Sequence, residues 1–124
     1  MKKIFFLVAL FSSLSVAADW KFVALDSDGN SQYIDTEKIR KHRGYAYYWS
    51  LIDMVKPSEK GDLSIVVYVK VDCESSMERN LLFKFHTKKM GEGAISSEFN
   101  SDNDWRYPSP GSIQEENLNF VCSQ

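Results

Sequence analysis

Residues 63–73, with the sequence LSIVVYVKVDC, form the stretch that decides the fold. Apolar side chains occupy every odd position of this run, whereas the even positions include Ser64, Tyr68, Lys70 and Asp72. This alternation is typical of an antiparallel strand with one face in the core, and it predicts that Cys73 points inward. We therefore place this strand at the centre of a small sheet.

The first 18 residues have the pattern of an export signal. Lys2 and Lys3 precede an apolar segment over residues 4–14, and the small residues 15–18 are of the kind that signal peptidase accepts. We expect cleavage after Ala17 or Ala18 and one mature domain over residues 19–124. The apolar segment is too short for a membrane span of about 20 residues. Because no cysteine lies near the cleavage site, we expect a periplasmic or secreted protein without a lipid anchor.

Charge and cysteine content narrow the class of protein. Loss of the two signal lysines changes 15 basic and 17 acidic residues to 13 and 17, a net charge of −4. Such a domain lacks the general basic footprint of a nucleic-acid-binding protein. Two cysteines in an exported chain predict one disulfide, between Cys73 and Cys122. With two distant histidines and no CxxC or HxxxH spacing, the sequence predicts neither a metal site nor a cofactor.

The remaining segments predict an α+β fold built on a single antiparallel sheet of about five to six strands. An Asp-Gly turn within residues 26–30 predicts a hairpin at the start of the mature chain. The expected strands cover residues 20–25, 31–34, 45–54, 63–73, 79–87 and 94–99. In the fifth of these, Leu81, Phe83 and Phe85 are expected inward and Asn80, Lys84 and His86 outward.

Two helices are expected beside the sheet. Asp35 or Thr36 can cap one or two helical turns over residues 37–43, which Gly44 would end. Ser112 and Glu115 have the spacing of a capping box, which predicts a C-terminal helix that brings Cys122 to Cys73.

One candidate binding site is a basic cluster formed by Lys38, Arg40, Lys41, His42 and Arg43. Such a cluster can receive an anionic partner, for example a sulfated glycan, lipopolysaccharide or an acidic protein loop. The more ordinary interpretation is a solvated last turn of the short helix.

A second candidate is the sheet face opposite the valine and phenylalanine core, where we expect Tyr48 and Tyr68 together with Val66 and Leu82. The two-layer rule favours coverage of this face by the C-terminal helix or by loops. The alternative is a partly exposed contact surface, since exposed apolar patches mark interfaces. A homodimer through this face or through an edge strand belongs to that alternative.

The sequence does not predict an enzyme. His42 and His86 lack acidic or nucleophilic neighbours at motif spacing, and His86 is expected as a solvated strand residue. GxSxG, HExxH and glycine-rich phosphate loops are absent from the sequence.

From Asp62 onward the chain resembles the surface-adhesin protein E family of small exported bacterial domains. The resemblance rests on residues 68–73, residues 79–86, Met90-Gly91-Glu92-Gly93, Trp105, residues 108–112 and Val121-Cys122. The N-terminal half agrees more loosely, through Trp20, Tyr33-Ile34-Asp35, Trp49-Ser50-Leu51 and Lys56-Pro57. The resemblance implies an antiparallel sheet with helical packing, a disulfide, and adhesion to host matrix proteins such as vitronectin and laminin.

Two functional hypotheses follow. The first is an exported, non-enzymatic binding module of the adhesin type, with a host matrix or envelope protein as its partner. The second is a periplasmic inhibitor or accessory partner of an envelope enzyme, which would insert a loop such as residues 56–62 or 102–110 into a cleft.

Overall fold

The computed structural model describes residues 18–101 and 104–124, so nearly all of the expected export signal lies outside the described residues. The described chain contains seven strands and one α-helix. These are β1 (Trp20–Leu25), β2 (Ser31–Asp35), β3 (Arg40–His42), β4 (Tyr45–Asp53), β5 (Ser64–Asp72), β6 (Met77–His86), β7 (Ile95–Asn100) and α1 (Ile113–Cys122). The predicted α+β class with one antiparallel sheet is confirmed.

The sheet has the strand order β1-β2-β4-β5-β6-β7, and β3 pairs with β4 as well. Because β2 pairs with residues 50–53 of β4 and β3 with residues 45–47, these two short strands follow one another along the same side of β4. β5 pairs with β4 and β6 along its whole length. The stretch that decides the fold is therefore an inner strand.

The main core lies between the sheet and α1, on what we call the helix face. Val67, Val69 and Val71 of β5 are buried there, as the alternation predicts. From α1, Leu118 and Val121 pack against them. Burying five aliphatic side chains of this size contributes roughly 1.5–3 kcal/mol each relative to exposure.

The disulfide and the capping signal are confirmed. Cys73 and Cys122 are bonded, with their Cα atoms 5.6 Å apart. The backbone N–H of Glu115 donates to Ser112 Oγ at 3.1 Å, so α1 begins where the capping box predicts.

The helical turns expected over residues 37–43 are wrong, because this segment forms β3 and pairs with β4 in a tight hairpin. Arg43 and Gly44 both have positive φ, at 51° and 83°, which is the conformation that two-residue hairpin turns require. Asp35 does cap a turn, since its carboxylate accepts from the backbone N–H of Glu37 at 3.1 Å. No helix follows that turn.

A bulge in β6 changes which residues face the core. Tyr68 pairs with Leu82, but the next residue of β5, Val69, pairs with Asn80, so Leu81 is the extra residue. Asn80 therefore lies opposite the buried Val69 on the helix face, and the expectation that it points outward is wrong. The bulge also brings Glu78 to the helix face, where it is 1% exposed.

Candidate functional site

The sheet face away from α1 carries aromatic rings interleaved with cations. We call this surface the aromatic–cationic face. Its residues are Arg40, Tyr45, Tyr47, Trp49, Tyr68, Lys70, Arg79 and Lys84 from the sheet and Trp105 from the loop before α1.

Strand register brings these residues into rows. One row crosses β3, β4, β5 and β6 and consists of Arg40, Tyr47, Lys70 and Arg79. The next row consists of Trp49, Tyr68 and Leu82. Since neighbouring strands lie about 4.8 Å apart, side chains within a row are in contact distance of one another.

Three rings form a platform at the centre of the face. The centroids of Trp49 and Tyr68 are 4.4 Å apart with an angle of 33° between the planes. Tyr47 stacks on the other side of Tyr68 at 5.9 Å and 24°. We call Tyr47, Trp49 and Tyr68 the ring platform; all three side chains are partly exposed.

Cations lie on two sides of the ring platform. Lys84 Nζ is 5.1 Å from the centroid of Trp49 on one side. On the other side, Lys70 Nζ is 4.1 Å from the ring of Tyr45, which stacks on Trp105 at 5.8 Å. Cation–π contacts of this kind hold the charged groups over the rings and leave them available to an anion.

Acidic residues border the cations of this face. Asp72 accepts from the backbone N–H groups of Glu74 and Ser75 at 3.1 and 3.4 Å. Asp53 accepts from Met90 N–H at 2.8 Å and pairs with Lys89 at 4.0 Å. The exposed Glu98 of β7 pairs with Lys84 in the sheet register. Positive charge is therefore concentrated in the row of Arg40, Lys70 and Arg79.

Two polar groups of the face are adapted to hydrogen bonding. Partial burial raises the pKa of Tyr68 above its ordinary value, although Arg40 opposes the rise, so the hydroxyl stays protonated and can donate. Arg79 Nε is buried and has no hydrogen-bond partner among the described residues. A buried donor without a partner calls for an explanation, and an absent ligand is one.

A cleft of about 630 Å³ adjoins the ring platform at Trp49. Trp20, Lys84 and the turn at residues 88–93 contribute to its walls. His86 also lies there and is 9% exposed, so the expectation of a solvated histidine is wrong: the turn packs over the end of its strand.

The structure places the two tyrosines of the predicted contact surface on different faces. Tyr68 lies on the aromatic–cationic face, as expected. Tyr48 does not, because it pairs with Val69 and is buried at 1% exposure in the core of the helix face. Of the two expected covers, α1 packs against the valines instead, whereas the turn at residues 88–93 covers Val66 at one end of the face of Tyr68. The role of this face as a contact surface stays a prediction.

The basic cluster divides between different surfaces. Arg40 and His42 line a cavity of about 210 Å³ with Tyr47 and Tyr68, on the aromatic–cationic face. Lys38 pairs with Asp35 at 3.9 Å and lines the cleft beside Trp49. Lys41 donates to the carbonyl of Gln124, and Arg43 forms the hairpin turn. Anion binding by the cluster stays a prediction, and Arg40 and His42 are the members that lie on the aromatic–cationic face.

Several residues of the candidate site were missed by sequence reasoning. The even positions of residues 63–73 already place Tyr68 and Lys70 on one face, which was a usable signal. Arg79 could not be placed without the bulge at Leu81, and Trp105 comes from a loop.

Neither a metal-binding cluster nor a membrane-spanning helix is found among the described residues. Within residues 18–101 and 104–124, histidine, cysteine and carboxylate side chains do not gather in a group of three or more that could hold a metal ion. None of the helices described is both long and apolar enough to cross a membrane.

The sequence profile of surface-adhesin protein E matches residues 20–123. The chain belongs to the surface-adhesin protein E family. Curated protein sequences gave no match. Among solved structures, the selenomethionine form of Haemophilus influenzae protein E is similar, with a TM-score of 0.62 and 16% identity over 83% of this chain and 86% of that one. Protein E from non-typeable Haemophilus influenzae gives 0.58 and 15%, over 82% and 75%.

These structural likenesses show the same fold at low sequence identity. Family membership makes the chain a relative of surface adhesins, which agrees with the export signal expected from residues 1–18. At 16% identity, binding residues are not transferred from protein E to this chain.

Proposed function

We propose that the protein is an exported, non-enzymatic binding module of the adhesin type, and that the aromatic–cationic face contacts a host matrix protein. Membership of the surface-adhesin protein E family supports the adhesin role. The observation that carries the choice of face is the ring platform between Lys70 and Lys84, which α1 leaves uncovered. Tyrosine, tryptophan and arginine are the residues that most often dominate binding energy at protein interfaces.

Charge indicates which kind of partner surface fits. The mature chain, residues 19–124, has a net charge of −4, yet a row of three cations, Arg40, Lys70 and Arg79, crosses this face. Complementary potentials steer association and reject wrong partners. The face therefore selects an acidic region of the matrix protein.

The test is binding of the mature chain to immobilised vitronectin and laminin, measured by biolayer interferometry. A double variant, Lys70→Ser with Lys84→Ser, removes charge while leaving the ring platform in place. The matched control, Lys56→Ser with Lys60→Ser, removes two exposed lysines of the 56–62 loop. We expect saturable binding that weakens about tenfold in the face variant, since two exposed charge contacts worth roughly 0.7 kcal/mol each add up to about 1.4 kcal/mol.

Two results would contradict this proposal. One is the failure of both matrix proteins to bind, and the other is equal binding by the face variant and the control. Recovery of a stoichiometric envelope enzyme by crosslinking in the periplasm, lost on changes in the 56–62 loop, would support the inhibitor or accessory role instead. A homodimer stays a prediction that the mass of the mature chain in solution would test.

A further inference from the structure

We propose that the aromatic–cationic face recognises an acidic glycan, a chain of pyranose rings that bear carboxylate or sulfate groups. This inference rests on the proposed function, because it names the chemistry by which the same face would contact a host matrix glycoprotein or proteoglycan.

The ring platform supplies the first half of the recognition. Trp49 and Tyr68 pack ring against ring with centroids 4.4 Å apart, and Tyr47 stacks on Tyr68 at 5.9 Å, so the three rings offer their outer, partly exposed sides to a ligand. Aromatic side chains offer large, rigid apolar area. The C–H face of a pyranose ring is flat and apolar, so it can pack against the exposed side of this stack while its polar substituents project from the edges.

The cations supply the second half. Anionic groups at the edges of a stacked sugar would meet Lys84 on one side and Lys70 or Arg40 on the other. In the row of Arg40, Tyr47, Lys70 and Arg79, one ring lies between two cations and a third cation follows. A ligand that combines apolar ring faces with separated charges matches this row better than a ligand of charge alone.

Arg79 provides a further, independent observation. Its Nε donor is buried without a partner in the described chain, and its guanidinium lies 5.9 Å from the ring of Trp105. Guanidinium groups form paired hydrogen bonds with planar oxyanions such as carboxylate. Arg79 pairs with Lys70 in the same row, so its guanidinium adds a further positive charge for an anionic sugar that extends past Tyr47.

Nucleic acid is the competing ligand that also combines rings with anions. Double-stranded DNA carries one charge per about 1.7 Å, and its binding depends on broad positive surfaces. The mature chain is acidic overall, with 17 acidic against 13 basic residues after loss of Lys2 and Lys3. A glycan with fewer charges per unit length is repelled less by the rest of the molecule, so the balance favours the glycan.

The experiment measures binding of the mature chain to four soluble polymers by intrinsic tryptophan fluorescence and by calorimetry, at about 0.15 M salt, where surface charge is screened as in tissue. The probes are hyaluronan, with carboxylates only, chondroitin sulfate, with carboxylates and sulfates, oligothymidylate and polyglutamate. We expect saturable binding of at least one of the two glycans and much weaker binding of the other two polymers. Binding of hyaluronan would identify carboxylate as sufficient, and binding of chondroitin sulfate alone would identify sulfate as necessary.

Variants separate stacking from charge. We expect Trp49→Ala to weaken glycan binding about tenfold, since it removes the largest apolar ring of the platform. Lys70→Ser with Lys84→Ser should weaken it similarly, and this variant keeps the ring platform if Trp49→Ala perturbs folding. Phe120→Ala, which removes a ring that is 40% exposed on α1, is the control and should bind as the parent does.

The inference is overturned if neither glycan binds, if polyglutamate or oligothymidylate binds as tightly, or if both face variants bind glycan as the control does. Its failure differs from failure of the proposed function. If matrix proteins still bind through the face after enzymatic removal of their glycans, the glycan inference alone is wrong. If free glycans bind but neither matrix protein does, only the matrix-protein role is wrong.

Discussion

At the scale of single residues, Glu78 is a carboxyl group buried in the core. It is 1% exposed in the core, with Arg106 Nη2 3.2 Å from its Oε1. Burial raises the pKa of Glu78, and the charge and hydrogen bond of Arg106 together with a hydrogen bond from Tyr48 offset only part of the rise. Burial and the neighbouring Glu78 raise the pKa of Tyr48 as well, so its hydroxyl stays protonated.

This pKa shift predicts how stability varies with pH. A carboxyl whose pKa is higher in the folded state contributes stability below its unfolded pKa, about 4.3, and this is lost as pH rises through the folded-state pKa. The variant Glu78→Gln has no carboxyl group at this position, so its stability lacks this dependence on pH. We therefore expect the variant to gain stability relative to the parent between about pH 4 and pH 7.

Urea unfolding of the parent and of Glu78→Gln at each of these two pH values measures the difference between their free energies of unfolding. Glu59→Gln, which removes an exposed carboxylate from the 56–62 loop, is the control. A difference between Glu78→Gln and the parent that is the same at both pH values would refute the argument.

The sequence pattern of β4 explains why Tyr48 was expected on the wrong face of the sheet. Both alternating sets of β4 are largely apolar or aromatic, with Tyr45, Tyr47 and Trp49 in one and Ala46 and Tyr48 in the other. Alternation alone does not say which set is buried when neither is polar. Pairing with β5 decides it, because Tyr48 lies opposite Val69.

At the scale of elements, the β3–β4 hairpin shows how a local signal misleads. Lysine and arginine are good helix formers, and a following glycine is typical of a helix end. The same Gly44, preceded by Arg43, also fits a two-residue hairpin turn in which both residues have positive φ. Pairing of residues 40–42 with β4 stabilises the strand conformation, and local helix propensity does not reflect this pairing.

The turn itself supplies a prediction. Arg43 has φ of 51°, which is unfavourable for most residues but easily adopted by asparagine. We expect Arg43→Asn to raise the free energy of unfolding by about 0.5–1 kcal/mol, since it relieves part of a left-handed penalty of 1–2 kcal/mol. Arg43→Val should lower it, because β-branched residues tolerate positive φ poorly. Thermal unfolding of the three proteins tests this, and equal midpoints for asparagine and valine would contradict the turn geometry.

The candidate site depends on several elements at once, which limits what the sequence predicts of it. Tyr68 and Lys70 come from the strand that alternates most strictly, so their shared face was predictable. Arg79 lies before the β6 bulge, and its face follows only from the pairing of Lys70 with Arg79. Trp105 reaches the face because Arg106 forms an isolated bridge with Glu78 at the end of β6.

At the scale of the whole molecule, one helix on one side of the sheet explains both stability and the open face. Leu118 and Val121 of α1 complete the core with the valines of β5. The opposite face has no second layer of secondary structure comparable to α1 among the described residues, apart from the turn at residues 88–93 near one end. The fold thus separates the surface that stabilises the domain from the surface available for binding.

The disulfide ties that arrangement together, and its removal is the corresponding prediction. Cys73 and Cys122 are 49 residues apart, for which the chain-entropy model gives a stabilisation of about 4 kcal/mol. The total free energy of unfolding of a domain of this size is roughly 5–15 kcal/mol.

We expect the double variant Cys73→Ser with Cys122→Ser to have a much lower urea midpoint than the parent. Reduction of the disulfide should lower the midpoint of the parent by the same amount and leave the midpoint of the variant unchanged. Because α1 packs on the helix face, glycan binding by the residual folded fraction should be unchanged. An unchanged urea midpoint after complete reduction would show that packing of Leu118 and Val121 alone holds α1 in place.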